Sequence, residues 1–353
     1  MPIEAVGDAA FVDTLRRAWD AGDAVLPVDP RLPTAAVDRL LAGLRAGEPV
    51  ADGDALVVCT SGTTGEPKGV VLTHDAVQAS ALATSSRLAV DPTRDTWLAC
   101  LPLAHVGGLG VVTRALVMGT PLVVQPGFDV DAVMGSGATL VSLVATALRR
   151  LPAPSAFRTI VLGGSAPPDN LPANTVATYG MTETGSGVVY DGVPLDGVEV
   201  RVDAAGAIWL RGPMLLREYR DGTDPKDRDG WLPTGDAGAW DGARLTVHGR
   251  LGDLIISGGE NVWPEAVERV LASCAGVAEV AVVGRRDPEW GERVVAVVVP
   301  TDTAAPPTLA ALREQVKEQL GPWAAPKELV LVAALPRTAL GKVQRSLISP
   351  PDG

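Results

Sequence analysis

The chain has 353 residues, 46% of them apolar, and a formal net charge of −12. That length suits two or more domains with sizeable cores, and the acidity argues against a nucleic-acid partner, whose phosphates such a surface repels. The opening MPIEAVGDAAFVDTL has no basic stretch followed by an apolar one, and no run of about 18 apolar residues occurs, so a cytoplasmic protein without a membrane partner is expected.

Residues 1 to about 50 read as short helices, FVDTLRRAWDA and AAVDRLLAGLRA, joined by the Pro-rich LPVDPRLPT. ALVVCT then reads as a buried strand, followed by TSGTTGEPKGV, Thr60 to Val70, and by a second strand and helix in VVLTHDAVQASALATSS. A Gly-rich, hydroxyl-rich turn leaving a strand offers backbone N–H groups and hydroxyls to an anion without steric obstruction, and phosphate is the usual anion. The P-loop is rejected by spacing: it needs Gly-Lys-Ser/Thr at a helix start, whereas Lys68 follows Pro67 and runs into Gly69-Val70-Val71. Pro67 favours extended chain at Glu66, so the loop should lead into a strand.

Strands in DTWLACLPL, TPLVVQ, ATLVSLV and RTIVLGG alternate with helical VGGLGVVTRALVMG and VATALRRL. The expectation is a large α/β N-terminal domain with a mostly parallel sheet. From Val193 to Val247, short strands separated by Gly and Asp turns suggest a small antiparallel β subdomain. From about Gly252 the pattern becomes α+β: a helix from Pro264 to Cys274, strands AEVAVVG and RVVAVVVP, the helix LAALREQVKEQL and the strand KELVLV. Domains of 1–250 and 251–353 follow.

Cys59, Cys100 and Cys274 are widely spaced, lack metal-ligand spacing and read as core thiols. Lysine occurs only at 68, 226, 317, 327 and 342, so Lys68 and Lys342, both inside Gly-containing segments, call for a specific explanation. Lys226 and Lys317 read as solvated surface side chains.

Four further segments stand in order behind the loop: LPLAHVGG (101–108), TYGMTETG (178–185), PTGD (233–236) with GRLGDLIISGGENVWPEAVE (249–268), and PRTALGKVQR (336–345). With TSGTTGEPKGV they resemble the ordered core motifs of the adenylate-forming superfamily of acyl-CoA synthetases, luciferases and peptide-synthetase adenylation domains. The resemblance implies a two-step reaction. A carboxylate attacks the α-phosphate of ATP, giving an acyl-adenylate and pyrophosphate; then, after a small mobile C-terminal domain swings, the thiol of CoA attacks the acyl carbon. The work is to neutralise and align anions.

On this resemblance Thr60, Ser61, Gly62, Thr63, Thr64 and Lys68 would cradle the outer phosphates. Tyr179, with Gly180, would stack on adenine, Thr182 would reach the α-phosphate, and Glu183 would supply an oxygen to Mg2+. Gly163, Gly164 and Ser165 resemble the segment along the adenine; Asp236, with Arg250 close by, resembles the ribose ligand; and Lys342 resembles the mobile catalytic lysine of adenylation. Gly258, Gly259 and Glu260 fall in the loop that lines the thiol tunnel. The hinge falls at Gly249–Asp253, where the family's usual Asp or Lys is replaced by Gly252, with Asp253 following. The phosphate loop starts at Thr60, nearer the amino terminus than in the family, so a shortened N-terminal domain is expected.

The acyl pocket narrows the substrate. After His105, Gly107, Gly110 and Arg114 are spaced to share one helix face, where the glycines should leave a cavity. An arginine nine residues after the histidine of LPLAHVGG resembles the o-succinylbenzoate-CoA ligases of the menaquinone pathway, in which Ser142 would border the acyl site. A fatty acyl pocket has little use for a buried cation, so a dicarboxylic aromatic acid is expected. Another aryl- or acyl-CoA ligase, or a non-catalytic adenylate-binding protein, are the alternatives; Lys342 and Glu183 argue against the second. The resemblance leaves a homodimer open.

Overall fold

The computed structural model describes residues 1–61, 67–337 and 343–348. The chain forms two compact units, one of 1–201, 209–233 and 240–245, the other of 202–208, 234–239 and the chain from 246 on.

The first unit is built on a seven-stranded sheet ordered Val193–Pro194, Gly187–Tyr190, Thr175–Gly180, Thr159–Gly163, Leu140–Val144, Trp97–Ala99, Leu122–Val124. Pairings from Leu122–Val124 across to Thr175–Gly180 are parallel, and the two beyond are antiparallel, as the alternation of apolar strands and helices predicts. Leu98, Val141, Leu143, Ile160 and Leu162 form a core with Val133 and Leu148. The helix Val106–Met118 ends on Gly119, whose φ of +66° supplies the left-handed turn that a side chain would resist.

A three-stranded sheet orders Glu218–Tyr219, Pro67–Thr73 and Asp54–Ser61, all antiparallel. Thr60 pairs with Lys68 across its hairpin, so the phosphate-loop motif does join two strands. Thr73 then caps the helix His74–Arg87 through Ala76 N at 3.1 Å.

The first fifty residues form the two expected helices, Ala9–Asp20 and Thr34–Gly43, and add short strands before and between them. Pro2–Glu4 and Leu26–Val28 pair in parallel, and Val25 N donates to the Ala55 carbonyl while Val57 N donates to the Val25 carbonyl, tying this segment to Asp54–Ser61. Three-residue strands, one containing Pro27, give no periodicity to detect; burial by neighbours distant in sequence makes them.

In the second unit Ile255–Ser257, Glu260–Val262, Val277–Asp287, Gly291–Pro300 and Glu328–Leu331 form a five-stranded sheet. The helices Pro264–Ala272 and Leu309–Gln319 bury Val267, Leu271, Leu312 and Val316 with Val282, Val294 and Val298. The strands Glu199–Val202, Ala207–Arg211, Leu232–Trp240 and Leu245–Arg250 form the small four-stranded sheet expected between 193 and 247. Among the described residues no helix is long and apolar enough to cross a membrane.

Candidate active site

In the first unit the phosphate motif and the TYGMTETG motif meet. Gly62, Thr63 and Thr64 lie outside the described residues, as does Lys342. Thr60 is half-buried at the end of its strand, and Lys68 opens the return strand with an exposed side chain. The Lys68 ammonium stands 4.9 Å from the centroid of the Tyr219 ring. The hydroxyl of Tyr219 donates to Glu183 Oε1 at 2.9 Å. Burial, with the Glu183 charge beside it, pushes the Tyr219 phenol well above its ordinary range, so it remains a donor.

Glu183 lies in the short turn Thr182–Thr184 and is 8% exposed, while Thr182 is half-buried. No ion pair engages Glu183 among the described residues. Mg2+ is usually held by one or two carboxylates together with substrate phosphates, not by an all-protein cage. A desolvated carboxylate with no cation of its own fits that mode, and no cluster of three or more His, Cys, Asp or Glu suited to a metal occurs among the described residues.

Tyr179 and Gly180 end the strand Thr175–Gly180. A Cβ on Gly180 would sit 2.2 Å from the Ser186 carbonyl oxygen, so this glycine is required by close packing of the chain on itself. Gly163 closes its strand; Gly164, at φ +88°, and Ser165 are exposed just beyond it.

The acyl-site residues divide. Arg114 is 3% exposed, its Nη2 donates to Ser186 Oγ at 3.0 Å, and its guanidinium lies 4.8 Å from the Trp97 ring centroid. Its Nη1 is buried with no hydrogen-bond partner, and no carboxylate pairs with it among the described residues. Burial lowers its pKa, which expresses the strain of keeping an unpaired cation from water. Gly110 does share the face of Arg114. The space is not empty, however: a Cβ there would lie 3.3 Å from Ser186 Oγ and 3.4 Å from Arg114 Nη2. Gly107 is exposed, so the expected two-glycine cavity is replaced by a guanidinium seated against one glycine. Ser142, on the strand beside that of Trp97, is buried and its hydroxyl has no partner.

His105 caps the helix of Arg114 and approaches a carboxylate that sequence reading passed over. Its Nε2 is 3.8 Å from Asp29 Oδ2, while Arg31 grips Asp29 with Nε at 2.9 Å and Nη2 at 2.6 Å. Burial lowers the His105 pKa despite Asp29, so the ring is neutral near pH 7. Asp29 and Arg31 sit in the Pro-rich LPVDPRLPT; a DPR triplet carries no motif signal. Lys226 is a second correction. Its Nζ donates to the carbonyls of Leu216 and Arg217 at 2.9 and 2.7 Å and pairs with Asp224, pinning the chain that leads to Tyr219. Lys317 is half-buried and pairs along its helix with Glu314 at 2.7 Å.

In the second unit Asp236 is buried and meets Arg250, whose Nε lies 3.0 Å from Oδ1 while Nη1 donates to the Thr234 carbonyl. Gly258 and Gly259 take φ of +64° and +85° in the turn between Ile255–Ser257 and Glu260–Val262, with Glu260 exposed. In the hinge motif, a Cβ on Gly249 would fall 2.3 Å from Glu265 Oε2, whereas a Cβ on Gly252 would meet nothing within 4 Å among the described residues. Asp253 is held by Arg345 at 2.8 Å, and the same guanidinium reaches Glu265 and Glu268.

Residues 44–220 match the family model of the AMP-binding enzyme, and residues 266–342 match that of the AMP-binding enzyme C-terminal domain. The chain belongs to the AMP-binding enzyme family, whose two parts fall in the order expected from the motifs. It is 41% identical to the probable 2-succinylbenzoate–CoA ligase of Mycobacterium tuberculosis, covering 96% of this chain and 94% of that protein. It is 36% identical to the 2-succinylbenzoate–CoA ligase of Bacillus anthracis over 82% of this chain and 68% of the relative. Among solved structures, it is similar to o-succinylbenzoate CoA synthetase from Bacillus subtilis in complex with the acyl-adenylate intermediate, at TM-score 0.89 and 28% identity, covering 100% of this chain and 88% of that one.

Proposed function

We propose that the protein is an AMP-forming acid–thiol ligase that activates o-succinylbenzoate with ATP and transfers the acyl group to CoA, a step of menaquinone biosynthesis. The observation that carries the substrate is Arg114: a buried guanidinium with an unpartnered Nη1 and no acidic neighbour among the described residues awaits an anion. A substrate with a second carboxylate, not the one activated, supplies it. Gly110 and Ser142 border that end, and His105 presents a neutral ring, adding no competing charge.

We assign Thr60, Ser61, Gly62, Thr63, Thr64 and Lys68 to the outer phosphates, and Gly163, Gly164, Ser165, Tyr179 and Gly180 to the base. Thr182 serves the α-phosphate and Glu183 would hold Mg2+, which neutralises phosphate charge when bound. Asp236, oriented by Arg250, accepts from the ribose hydroxyls. Lys342 bridges the attacking carboxylate and the α-phosphate during adenylation, where a point charge on a flexible stem suits the charge that builds. Residues 251–353 are assigned as the domain that moves between half-reactions, with Gly258, Gly259 and Glu260 serving the thiol. Gly252 is the better pivot, because Asp253 is already engaged by Arg345 while a Cβ on Gly252 would meet nothing within 4 Å among the described residues.

The test is pyrophosphate release across a panel of carboxylic acids, with and without CoA. Release that depends on o-succinylbenzoate, with a CoA thioester formed when CoA is present, is expected. Release with monocarboxylic aromatic or fatty acids but not with this dicarboxylate would replace the substrate; no acid-dependent release at all would remove the enzyme.

A further inference from the structure

We infer that Tyr219 is a positioning residue for the phosphate end of the site, holding Glu183 through its hydroxyl and Lys68 through its ring face. The inference rests on the proposed roles of those two residues, and its geometry lies wholly in the first unit.

Tyr219 lies on the two-residue strand Glu218–Tyr219, which pairs antiparallel with Pro67–Thr73 so that Tyr219 stands opposite Val70. Lys68 is two residues before Val70, hence the diagonal neighbour of Tyr219 on the same sheet face, a spacing that long and aromatic side chains can bridge. The 4.9 Å ammonium-to-ring distance realises that register. On its other side the segment is fastened to Glu183 twice, by Leu216 N to the Glu183 carbonyl at 2.7 Å and by the Tyr219 hydroxyl to Oε1 at 2.9 Å. Lys226, bonded to the carbonyls of Leu216 and Arg217, fixes the same segment from behind.

The chemistry of the partner matters more than the contact. An Arg or Lys beside Glu183 would cancel the negative charge that a hard cation needs. A phenol is neutral: it orients one carboxylate oxygen and leaves the full charge available. The ring face likewise restrains the Lys68 ammonium by its quadrupole without neutralising it, so the cation remains available for phosphate. One side chain thus orders an anion and a cation that must act on the same triphosphate, and keeps them from pairing with each other.

Two variants separate the arms. Tyr219→Phe deletes the hydroxyl and keeps the ring; Tyr219→Leu deletes both. Calorimetry on the full chain would measure AMP, ATP with a chelator, and ATP with Mg2+. For Tyr219→Phe, AMP and metal-free ATP should stay within about twofold of the parent, while Mg2+-ATP weakens roughly tenfold, the scale of one hydrogen bond to a charged group. Tyr219→Leu should add a loss of about two- to fivefold for metal-free ATP, again sparing AMP. Equal weakening of AMP and ATP would show a merely structural residue, and unchanged Mg2+ dependence in Tyr219→Phe would overturn the inference. Glu183→Gln and Lys68→Ala, titrated alongside, tell the two levels apart. If they alter Mg2+ and outer-phosphate dependence and the Tyr219 variants do not, only the inference falls; if they alter neither, the assigned roles fall and the inference with them.

Discussion

Replacing Arg114 by Met should trade substrate discrimination for stability. Arg114 is 3% exposed and its guanidinium, among the described residues, makes one hydrogen bond, to Ser186, with the Trp97 ring beneath it and Nη1 without a partner. Met retains much of the volume, so the cavity contribution of an Ala substitution is avoided. A hydrogen bond between a charged pair is worth about 1.5–3 kcal/mol, which at about 1.4 kcal/mol per factor of ten is roughly 10- to 100-fold in kcat/KM for the dicarboxylic acid. An analogue without the second carboxylate never used the pair and should lose far less. The comparison of two enzymes with two substrates isolates that pairwise contribution from general damage to the pocket. Removing an unpaired buried cation also relieves the free protein. An orphaned buried donor costs about 1–3 kcal/mol, partly offset by leaving Ser186 unbonded, and about 1 kcal/mol moves the Tm of a 150–250-residue unit by roughly 2–4 °C. The melting temperature of the ligand-free variant should therefore rise by a few degrees. Equal loss of both substrates, or a variant less stable than the parent, would refute the reading of Arg114 as a site charge.

Lys342→Ala should depress adenylate formation strongly while sparing thioester formation from supplied acyl-adenylate, read as two separate half-reactions; equal loss in both would show the residue misassigned. Asp236→Ala should weaken ATP and AMP alike because the ribose is common to them, whereas Lys68→Ala should weaken ATP more; calorimetry giving the reverse ranking rejects the placement. The folded pKa of His105 lies below its ordinary 6.5 because burial disfavours the charged ring. The unfolded chain therefore binds more protons between the two values, and stability rises with pH across that window and is lost as pH falls from 6.5 towards the folded pKa. Denaturant melts of the parent and His105→Gln at pH 5 and 7.5 should show a smaller acid loss in the variant; an identical acid loss would mean that His105 does not titrate as placed.

The candidate residues of the proposed site are nominated by local patterns in the sequence. The Gly- and hydroxyl-rich Thr60–Val70, the paired motifs around Glu183 and Asp236, and Arg114 at its distance from His105 are local patterns, and local spacing is what a sequence displays. The mostly parallel sheet was legible for the same reason, since apolar strands and helices alternate along the chain. Contacts between segments far apart in sequence were not. Tyr219 reaches Glu183 only because Glu218–Tyr219 adds to the edge of the Pro67–Thr73 strand. Asp29 meets His105 only because a three-residue strand containing a proline is buried by partners elsewhere in the chain. Lys226 reads as a surface lysine because, beside its sequence neighbour Asp224, the carbonyls of Leu216 and Arg217 reach it only through the turn of the chain. Residue type and spacing select which groups can bind an anion or a base; strand register and burial decide which of them face one another and which charge is left without a partner, and in Arg114 that remainder is what points to the substrate.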